Sequence, residues 1–196
     1  MNSTVASMRQ DPDSTGSGTR LPTTAYALLG LLSFGRELSG YELKQFSDST
    51  LRFYWSSPAM SQIYSELGRL LDHGLVDSRE VDGPGSRTTT KYRINDAGLA
   101  ELRGWLVTSE AEFPVLKHSV ALRLLLAHLV DPGSVEAMLK TYDEQLTERR
   151  RDLAAILDGI TDDETFRFPA YVAQWGLDYY AAEKRTVRRI LRDLNE

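Results

Sequence analysis

The chain has 196 residues, a formal net charge of −5 and no cysteine. The lack of cysteine excludes disulfides, thiol catalysis and cysteine-ligated zinc, and the acidic balance argues against indiscriminate binding of nucleic acid through a basic surface. No stretch is long and apolar enough to span a bilayer, and the N-terminus lacks the apolar core of a signal peptide, so we expect a cytoplasmic protein.

The N-terminal part of the chain predicts a tail followed by two helices. Residues 1–22 are rich in Ser, Thr, Gly, Asp and Pro, which is typical of a disordered segment. Residues 23–35 carry apolar side chains at helical spacing. A second helix is expected over residues 40–49, with Ser39 as its N-cap and Tyr41 among the side chains that face inward.

The next helix has both of its ends marked in the sequence. Ser57 is a good N-cap, the proline after it suits the first turn, and Gly74 suits the left-handed turn that ends a helix. One face is apolar, and the other carries hydroxyls and a guanidinium at Ser61, Tyr64, Ser65 and Arg69. These groups suit contacts with a phosphate backbone and base edges, although an ordinary amphipathic surface helix has a similar pattern.

A β-hairpin and a fourth helix follow directly. Residues 75–81 and 87–94 have strand character and flank a Gly-Pro-Gly turn. Strand periodicity places Arg87, Lys91 and Arg93 on one face, either as a phosphate-binding strip or as charges that protect an edge strand from aggregation. Residues 23–108 are thus expected to form three helices, a two-stranded hairpin and a further helix. This order predicts the winged variant of the helix-turn-helix domain.

The C-terminal half predicts a helical dimerisation domain over residues 117–196, after a linker at residues 109–116. An apolar helix is expected over residues 117–130 and should be buried, and Ser134 is expected to cap a long helix that ends near residue 159. A last helix is expected from about residue 168 to 194, where aliphatic and aromatic side chains recur at spacings of three and four residues. This pattern predicts a helix-packing seam that we assign to the dimer interface, with Val172, Trp175, Tyr179, Ala182, Ile190 and Leu194.

The sequence offers one candidate ligand site and few catalytic residues. Trp105, Tyr171 and Trp175 are candidates for a pocket that binds a small-molecule effector, or else they belong to a packed interface. The histidines do not have the spacing of a metal pair, and no nucleophile elbow, phosphate loop or dinucleotide fingerprint is present. We therefore predict no metal site, no cofactor and no enzymatic activity.

Four runs of residues together resemble the PadR family of bacterial transcriptional regulators. They are Ala25-Tyr-Ala-Leu-Leu-Gly-Leu-Leu, Ser39-Gly-Tyr-Glu-Leu, Ile63-Tyr-Ser-Glu-Leu-Gly-Arg-Leu-Leu-Asp-His-Gly-Leu-Val and Lys91-Tyr-Arg-Ile-Asn-Asp-Ala-Gly. The resemblance covers residues 24–106 and implies a homodimeric repressor that binds a palindromic DNA operator and releases it when a small molecule binds.

The resemblance also implies which side chains face DNA. In the family these are the aromatic residue that matches Tyr64, the polar residues at the start of its helix, and basic wing residues. The candidates here are Ser57, Ser61, Tyr64, Ser65, Arg69, Arg87 and Lys91. The chain has Thr89 and Thr90 where family members usually carry a basic pair. The alternative is a helical adaptor whose winged helix binds protein, which would lack the steep salt dependence of DNA binding.

Overall fold

The computed structural model describes residues 21–82, 88–111, 113–160 and 163–195. It confirms a mainly helical chain with a winged-helix domain and long C-terminal helices. The tail is predicted over residues 1–22, and residues 1–20 of it lie outside the described part of the chain. The elements are α1 (Thr23–Leu32), α2 (Gly40–Thr50), α3 (Met60–Asp72), β1 (Val76–Asp82), β2 (Thr88–Ile94), α4 (Asp96–Thr108), α5 (Ser119–Leu125), α6 (Pro132–Ile160) and α7 (Arg167–Asp193), with 3₁₀ turns at Leu51–Phe53, Ala127–Leu129 and Glu164–Phe166.

Local capping chemistry sets the ends of several helices, including the predicted cap at Ser39 and the predicted turn at Gly74. The Ser39 hydroxyl accepts the backbone N–H of Glu42, whose carboxylate accepts the Ser39 N–H, so both members of a capping box are present at α2. The Asn95 side chain caps α4 by accepting the Gly98 N–H at 3.0 Å. Gly74 follows α3 with a φ of +65°, a left-handed conformation that glycine adopts without strain.

The winged-helix domain has its own hydrophobic core. Apolar side chains of α1, α2, α3 and α4 meet the first pair of the hairpin, Val76 opposite Ile94, and all are buried. β1 and β2 pair antiparallel along their whole length, and Leu38 adds an isolated bridge to Tyr92 at the edge of the sheet. Because the hairpin is fastened to this core at its base, its position relative to α3 is fixed.

The start of α3 differs from the prediction. The helix begins at Met60, after an extended Ala59, rather than at Ser57. The Ser57 hydroxyl instead donates to the Asp48 carboxylate at 2.5 Å and lies 3.0 Å from the Ser47 hydroxyl on α2. These bonds to α2 hold Ser57 away from the first turn of α3, which explains why its capping signal was misleading.

The two long C-terminal helices pack against each other as an antiparallel pair, here called the helical arm. The row of α7 that faces α6 consists of Ala173, Leu177, Tyr180, Lys184, Val187 and Leu191. The buried Lys184 ammonium donates to the Asp143 carboxylate at 3.2 Å, which pairs the charge inside the arm. Asp131, not the predicted Ser134, caps α6, because its carboxylate accepts both the N–H and the hydroxyl of Ser134.

The apolar segment before α6 is shorter and more exposed than predicted. It forms α5 and a 3₁₀ turn rather than one helix over residues 117–130, and α5 has no buried residue. Its inner side packs on the arm through Val120, Leu124 and Ala127. The remaining apolar side chains, at Leu122, Leu125, Leu126, Leu129 and Val130, are exposed. The expectation of burial is wrong for the single chain because α6 and α7 cover only one side of this segment.

His118 fastens this segment to the arm. Its Nδ1 accepts the Ala121 N–H and caps α5, while its Nε2 lies 2.9 Å from the Glu183 carboxylate on α7. The Tyr142 hydroxyl on α6 donates to the same carboxylate at 3.0 Å. Burial, together with the nearby Glu183 charge, raises the pKa of Tyr142, which therefore stays a hydrogen-bond donor. None of the helices in the described part of the chain is long and apolar enough to cross a membrane.

Candidate nucleic-acid interface

One face of α3 combines polar side chains with an exposed tyrosine. Ser61, Tyr64, Ser65 and Arg69 are all exposed, and 51% of Tyr64 is accessible to solvent. The opposite face of α3 is buried in the winged-helix core. The Arg69 guanidinium donates to the buried Glu66 carboxylate one turn earlier at 3.0 Å, so its charge is partly neutralised. α3 thus presents hydroxyl groups and an aromatic ring outward from a fixed frame.

Gly40 at the start of α2 makes room for the Tyr64 ring. A Cβ atom at Gly40 would lie 2.6 Å from Cε1 of Tyr64, which is closer than such atoms approach in practice. α2 therefore supports the ring from behind. Tyr41, the next residue, was predicted to face inward but is 59% exposed. Tyr41 is a candidate DNA contact that was not predicted from the sequence, although its place beside the N-cap residue of α2 could have indicated that it is exposed.

The structure alters the assignment of the other predicted contact residues. Ser57 is partly buried and bonded to Ser47 and Asp48 of α2, so its hydroxyl is already engaged. Arg87 lies outside the described residues. Lys91 is on the predicted face of β2, but its ammonium donates to the Glu42 carboxylate at 2.6 Å.

Carboxylates form ion pairs with the basic residues of the wing, which is the hairpin of β1 and β2. Arg79 donates to Glu37 at 2.8 Å, Lys91 to Glu42, and Arg93 lies 3.9 Å from Asp77. All three pairs are on the strand face that the sequence predicted to be basic. The described basic residues of this face are therefore ion-paired in the free protein, and a phosphate group would have to compete with these carboxylates for them.

The ion pair between Lys91 and Glu42 should make the stability of the fold depend on pH. The hydrogen bond from Lys91, followed by those from the Ser39 backbone and hydroxyl, lowers the pKa of Glu42 from its ordinary 4.5 to about 2. Because the pKa of Glu42 is lower in the folded chain than in the unfolded chain, its ionised carboxylate stabilises the folded state above pH 4.5. This contribution to stability disappears as the pH falls towards 2. Because the Glu42 side chain is 40% exposed, we expect about 1 kcal/mol after screening by solvent.

The measurement is urea unfolding of the wild type and of Glu42→Gln at several pH values. The difference in unfolding free energy between the two should shrink by about 1 kcal/mol as the pH drops through this window. Other carboxylates titrate in both proteins and cancel in the difference. A difference that does not change with pH would contradict the role given to this pair.

The outer face of α7 carries most of the predicted dimer residues. Trp175 is 75% exposed and Tyr179 is 40% exposed, with Phe168 and Tyr171 exposed beside them. Ala182 and Leu194 are also exposed, and Val172 is half-buried. Ile190 is the exception, because it packs against the inner cluster of the arm. Like α5, this face exposes several large apolar side chains, and exposed apolar surfaces of this kind mark interaction sites.

The three residues predicted for an effector pocket do not line a common cavity. Trp105 stacks on Tyr26 with ring centroids 4.6 Å apart and lines an open groove of about 890 Å³ between α1 and α4. Glu101, Glu110 and His73 contribute polar groups to its walls. Tyr171 and Trp175 lie on α7 and are not among the lining residues. Within the described residues, no group of three His, Asp or Glu side chains is placed to hold a metal ion.

The fold and the exposed face of α3 together define a winged helix-turn-helix protein, the class of domain that places its third helix in the DNA major groove. The family model of the transcriptional regulator PadR-like family matches residues 28–104. The negative transcriptional regulator PadR of Bacillus subtilis (strain 168) is 31% identical over 129 residues, 66% of this chain and 68% of the relative. The chain belongs to the PadR-like family of transcriptional regulators.

Solved structures agree with this fold along most of the chain. Bacillus subtilis PadR in complex with operator DNA superposes with a TM-score of 0.77 at 23% identity, over 88% of this chain and 99% of the other. Bacillus subtilis PadR in complex with p-coumaric acid gives 0.70 at 24% identity, over 89% and 100%. The similarity therefore extends through the C-terminal helices as well as the winged-helix domain.

Proposed function

We propose that the protein is a cytoplasmic, ligand-responsive repressor that binds a palindromic operator as a homodimer and has no catalytic role. The observation that carries the proposal is the exposed face of α3, where Ser61, Tyr64 and Ser65 point away from the core beside Tyr41 of α2. Hydroxyl groups and aromatic rings on such a helix read base edges and contact phosphates. The bacterial relative named as a negative regulator supports repression as the direction of control.

The wing has a secondary role in the proposed complex. We assign Lys91 and Arg87 to the flanking phosphates, as the sequence predicted, with Arg79 and Arg93 on the same face. Since Lys91, Arg79 and Arg93 are paired with carboxylates in the free protein, part of the attraction to phosphate is offset by breaking those pairs. Selective contacts of α3 then contribute a larger share of the affinity than in a strongly basic protein.

The homodimer is proposed from the apolar surface on α5 and the outer face of α7. A second copy is the occupant that suits a palindromic site, because a two-fold axis repeats the same half-site contact. We place Trp175, Tyr179 and Ala182 in the interface, together with Leu122 and Leu125 of α5.

The interface is tested by adding a charge at its centre. Trp175→Glu should weaken the dimer by more than about 30-fold, because a central tryptophan contributes about 2 kcal/mol or more to an interface. Light scattering after gel filtration should then show a mass near 22.0 kDa rather than twice that value. Gln174→Glu adds the same charge on the flank of the helix and should leave the dimer intact. A Trp175→Glu protein that remains dimeric would exclude this face.

The effector site is proposed at the groove beside Trp105. The groove offers one large aromatic surface and, near it, the carboxylates of Glu101 and Glu110 and the imidazole of His73. A small aromatic ligand suits the first of these features, and p-coumaric acid is such a ligand in the complex of the Bacillus subtilis protein. A screen that scores release of operator DNA, repeated with Trp105→Ala, tests whether ligands act through this groove.

A further inference from the structure

One short turn links the winged-helix domain to the helical arm, beside a second contact in which Phe34, after α1, stacks on Phe166, before α7, with ring centroids 5.3 Å apart. The 3₁₀ turn Leu51–Phe53 lies between α2 and α3. Leu51 is buried in the winged-helix core, whereas Phe53, two residues later, is buried in a separate cluster with Leu153 of α6 and Ala173 of α7. A single turn therefore inserts one side chain into the core of each unit.

Two further interactions fasten the same turn to the arm. The Tyr180 hydroxyl on α7 donates to the Phe53 carbonyl at 3.2 Å. Arg52 donates to Asp152 on α6 at 3.3 Å, and its guanidinium lies 4.6 Å from the centre of the Phe53 ring. The turn therefore contacts α6 or α7 through the Phe53 carbonyl, the Phe53 ring and the Arg52 guanidinium. Phe53 is only 8% exposed, so it cannot leave this position without opening a cavity.

The chain from this turn to α3, here called the recognition helix because it is the helix proposed to face DNA, is short and fixed. The Trp55 N–H donates to the Leu51 carbonyl at 2.8 Å, and the Trp55 ring packs on the winged-helix core. Ser57 is bonded to Asp48 of α2, and α3 begins at Met60. A displacement of Phe53 is therefore passed to the first turn of α3 with little slack between them.

We infer that Phe53 is a positioning residue that sets the orientation of the recognition helix relative to the helical arm. The inference rests on the proposed homodimer. In that dimer, α7 contacts Phe53 on its inner face and the second copy on its outer face, so the Phe53 contact sets the separation of the two α3 helices. Domains joined by a small interface otherwise move relative to each other, and a variable separation would lose selectivity for the spacing of half-sites.

The separation of the two recognition helices is directly measurable. The chain has no cysteine, so a single Ser61→Cys substitution places one spin label on each exposed α3 of a dimer. Double electron–electron resonance then reports the distance between the labels without any DNA. We expect a narrow distribution in this background and one that is about twofold wider or more when Phe53→Ala is added, because the buried ring that joins the two domains is then lost and only polar contacts and the Phe34–Phe166 stack resist reorientation.

Two further variants make the result specific to this contact. Phe113→Ala removes the same side chain from a phenylalanine that is 92% exposed, and it should leave the width unchanged. Tyr180→Phe removes only the hydroxyl that binds the Phe53 carbonyl, keeps the packing, and should widen the distribution by a smaller amount. This variant keeps the test valid should Phe53→Ala fail to fold, which circular dichroism would reveal.

The outcomes separate this inference from the proposed function. A distribution that stays narrow in folded Phe53→Ala and in Tyr180→Phe would overturn the role of Phe53 while leaving the dimer and its DNA binding in place. The absence of any distance between labels in the parent protein would overturn the dimer, and this inference with it. Broadening in both variants would support it, together with loss of discrimination between operators whose half-sites differ in spacing by one base pair when Phe53→Ala and Tyr180→Phe are made with Ser61 intact.

Discussion

Tyr64→Ala is expected to lower affinity for the operator by about 10- to 100-fold without changing the fold. A side chain that reads a base edge or stacks in the groove contributes about 1–3 kcal/mol. The ring of Tyr64 is half exposed and lies against Gly40, so it is presented to DNA rather than buried. Its removal leaves the apolar side of α3 in place, and the melting temperature should change little.

Two variants on the same helix sharpen the Tyr64 test. Tyr64→Phe keeps the ring and removes the hydroxyl, so it separates stacking from hydrogen bonding. Gln62→Ala removes an exposed side chain that bonds to Thr24 of α1, and it should bind DNA as the wild type does. Electrophoretic mobility shifts or fluorescence anisotropy at fixed salt give the affinities. Wild-type affinity in Tyr64→Ala would remove this residue from the interface.

Gly98→Ala should be the most destabilising small substitution in the winged-helix domain. A Cβ atom at Gly98 would lie 2.1 Å from the Leu75 carbonyl oxygen and 2.8 Å from Cγ1 of Ile94. The first clash is with backbone at the base of the hairpin, where no rotamer change relieves it. We expect a loss of about 3 kcal/mol, which lowers the melting temperature by about 6–12 °C in a protein of this size.

Gly104 on the same helix is the matched control for Gly98. Among the described residues, no atom outside its two chain neighbours and the nearby backbone of α4 lies within 4 Å of a Cβ atom built at Gly104. Gly104→Ala should therefore stabilise the protein by about 0.5–1 kcal/mol, because alanine is the better helix former. Opposite signs for the two substitutions, measured by urea unfolding, would confirm the close approach of α4 to the hairpin. Equal effects would show that helix propensity alone explains both.

Features encoded by neighbouring residues were predictable from the sequence. The capping box at Ser39, the Asn95 cap and the Gly74 turn depend on side chains within a few positions of the helix end. The strand faces of the wing follow from a period of two. These signals place α3 next to a hairpin, and that arrangement is enough to indicate a winged helix.

Features that depend on distant partners were not predictable. Ser57 has a strong capping signal, but Asp48 and Ser47 bind its hydroxyl. Lys91 was placed on the correct face of its strand, although periodicity cannot show that a carboxylate 49 residues earlier neutralises it. The Phe53 contact also joins residues that are far apart in the chain, and an isolated phenylalanine in a connector gives no sign of it.

The C-terminal helices show a further limit of pattern reading. α7 carries apolar side chains on two opposite faces, and sequence spacing alone does not tell which face meets α6. The more aromatic row, around Trp175, was assigned to the dimer and is exposed, whereas Ile190 packs within the chain. The apolar segment around α5 was expected to be buried, because hydropathy does not distinguish burial within one chain from an exposed surface that a second chain would cover.

Sequence-selective binding of DNA by this protein is directly measurable at two salt concentrations. Random DNA selected on the purified protein supplies the operator, and its affinity is compared with that of unrelated DNA. We expect a palindromic operator, preferred at both concentrations, whose affinity falls about tenfold for each doubling of salt, as about four phosphate contacts would give. Equal, weak binding to both DNAs with little effect of salt would contradict it.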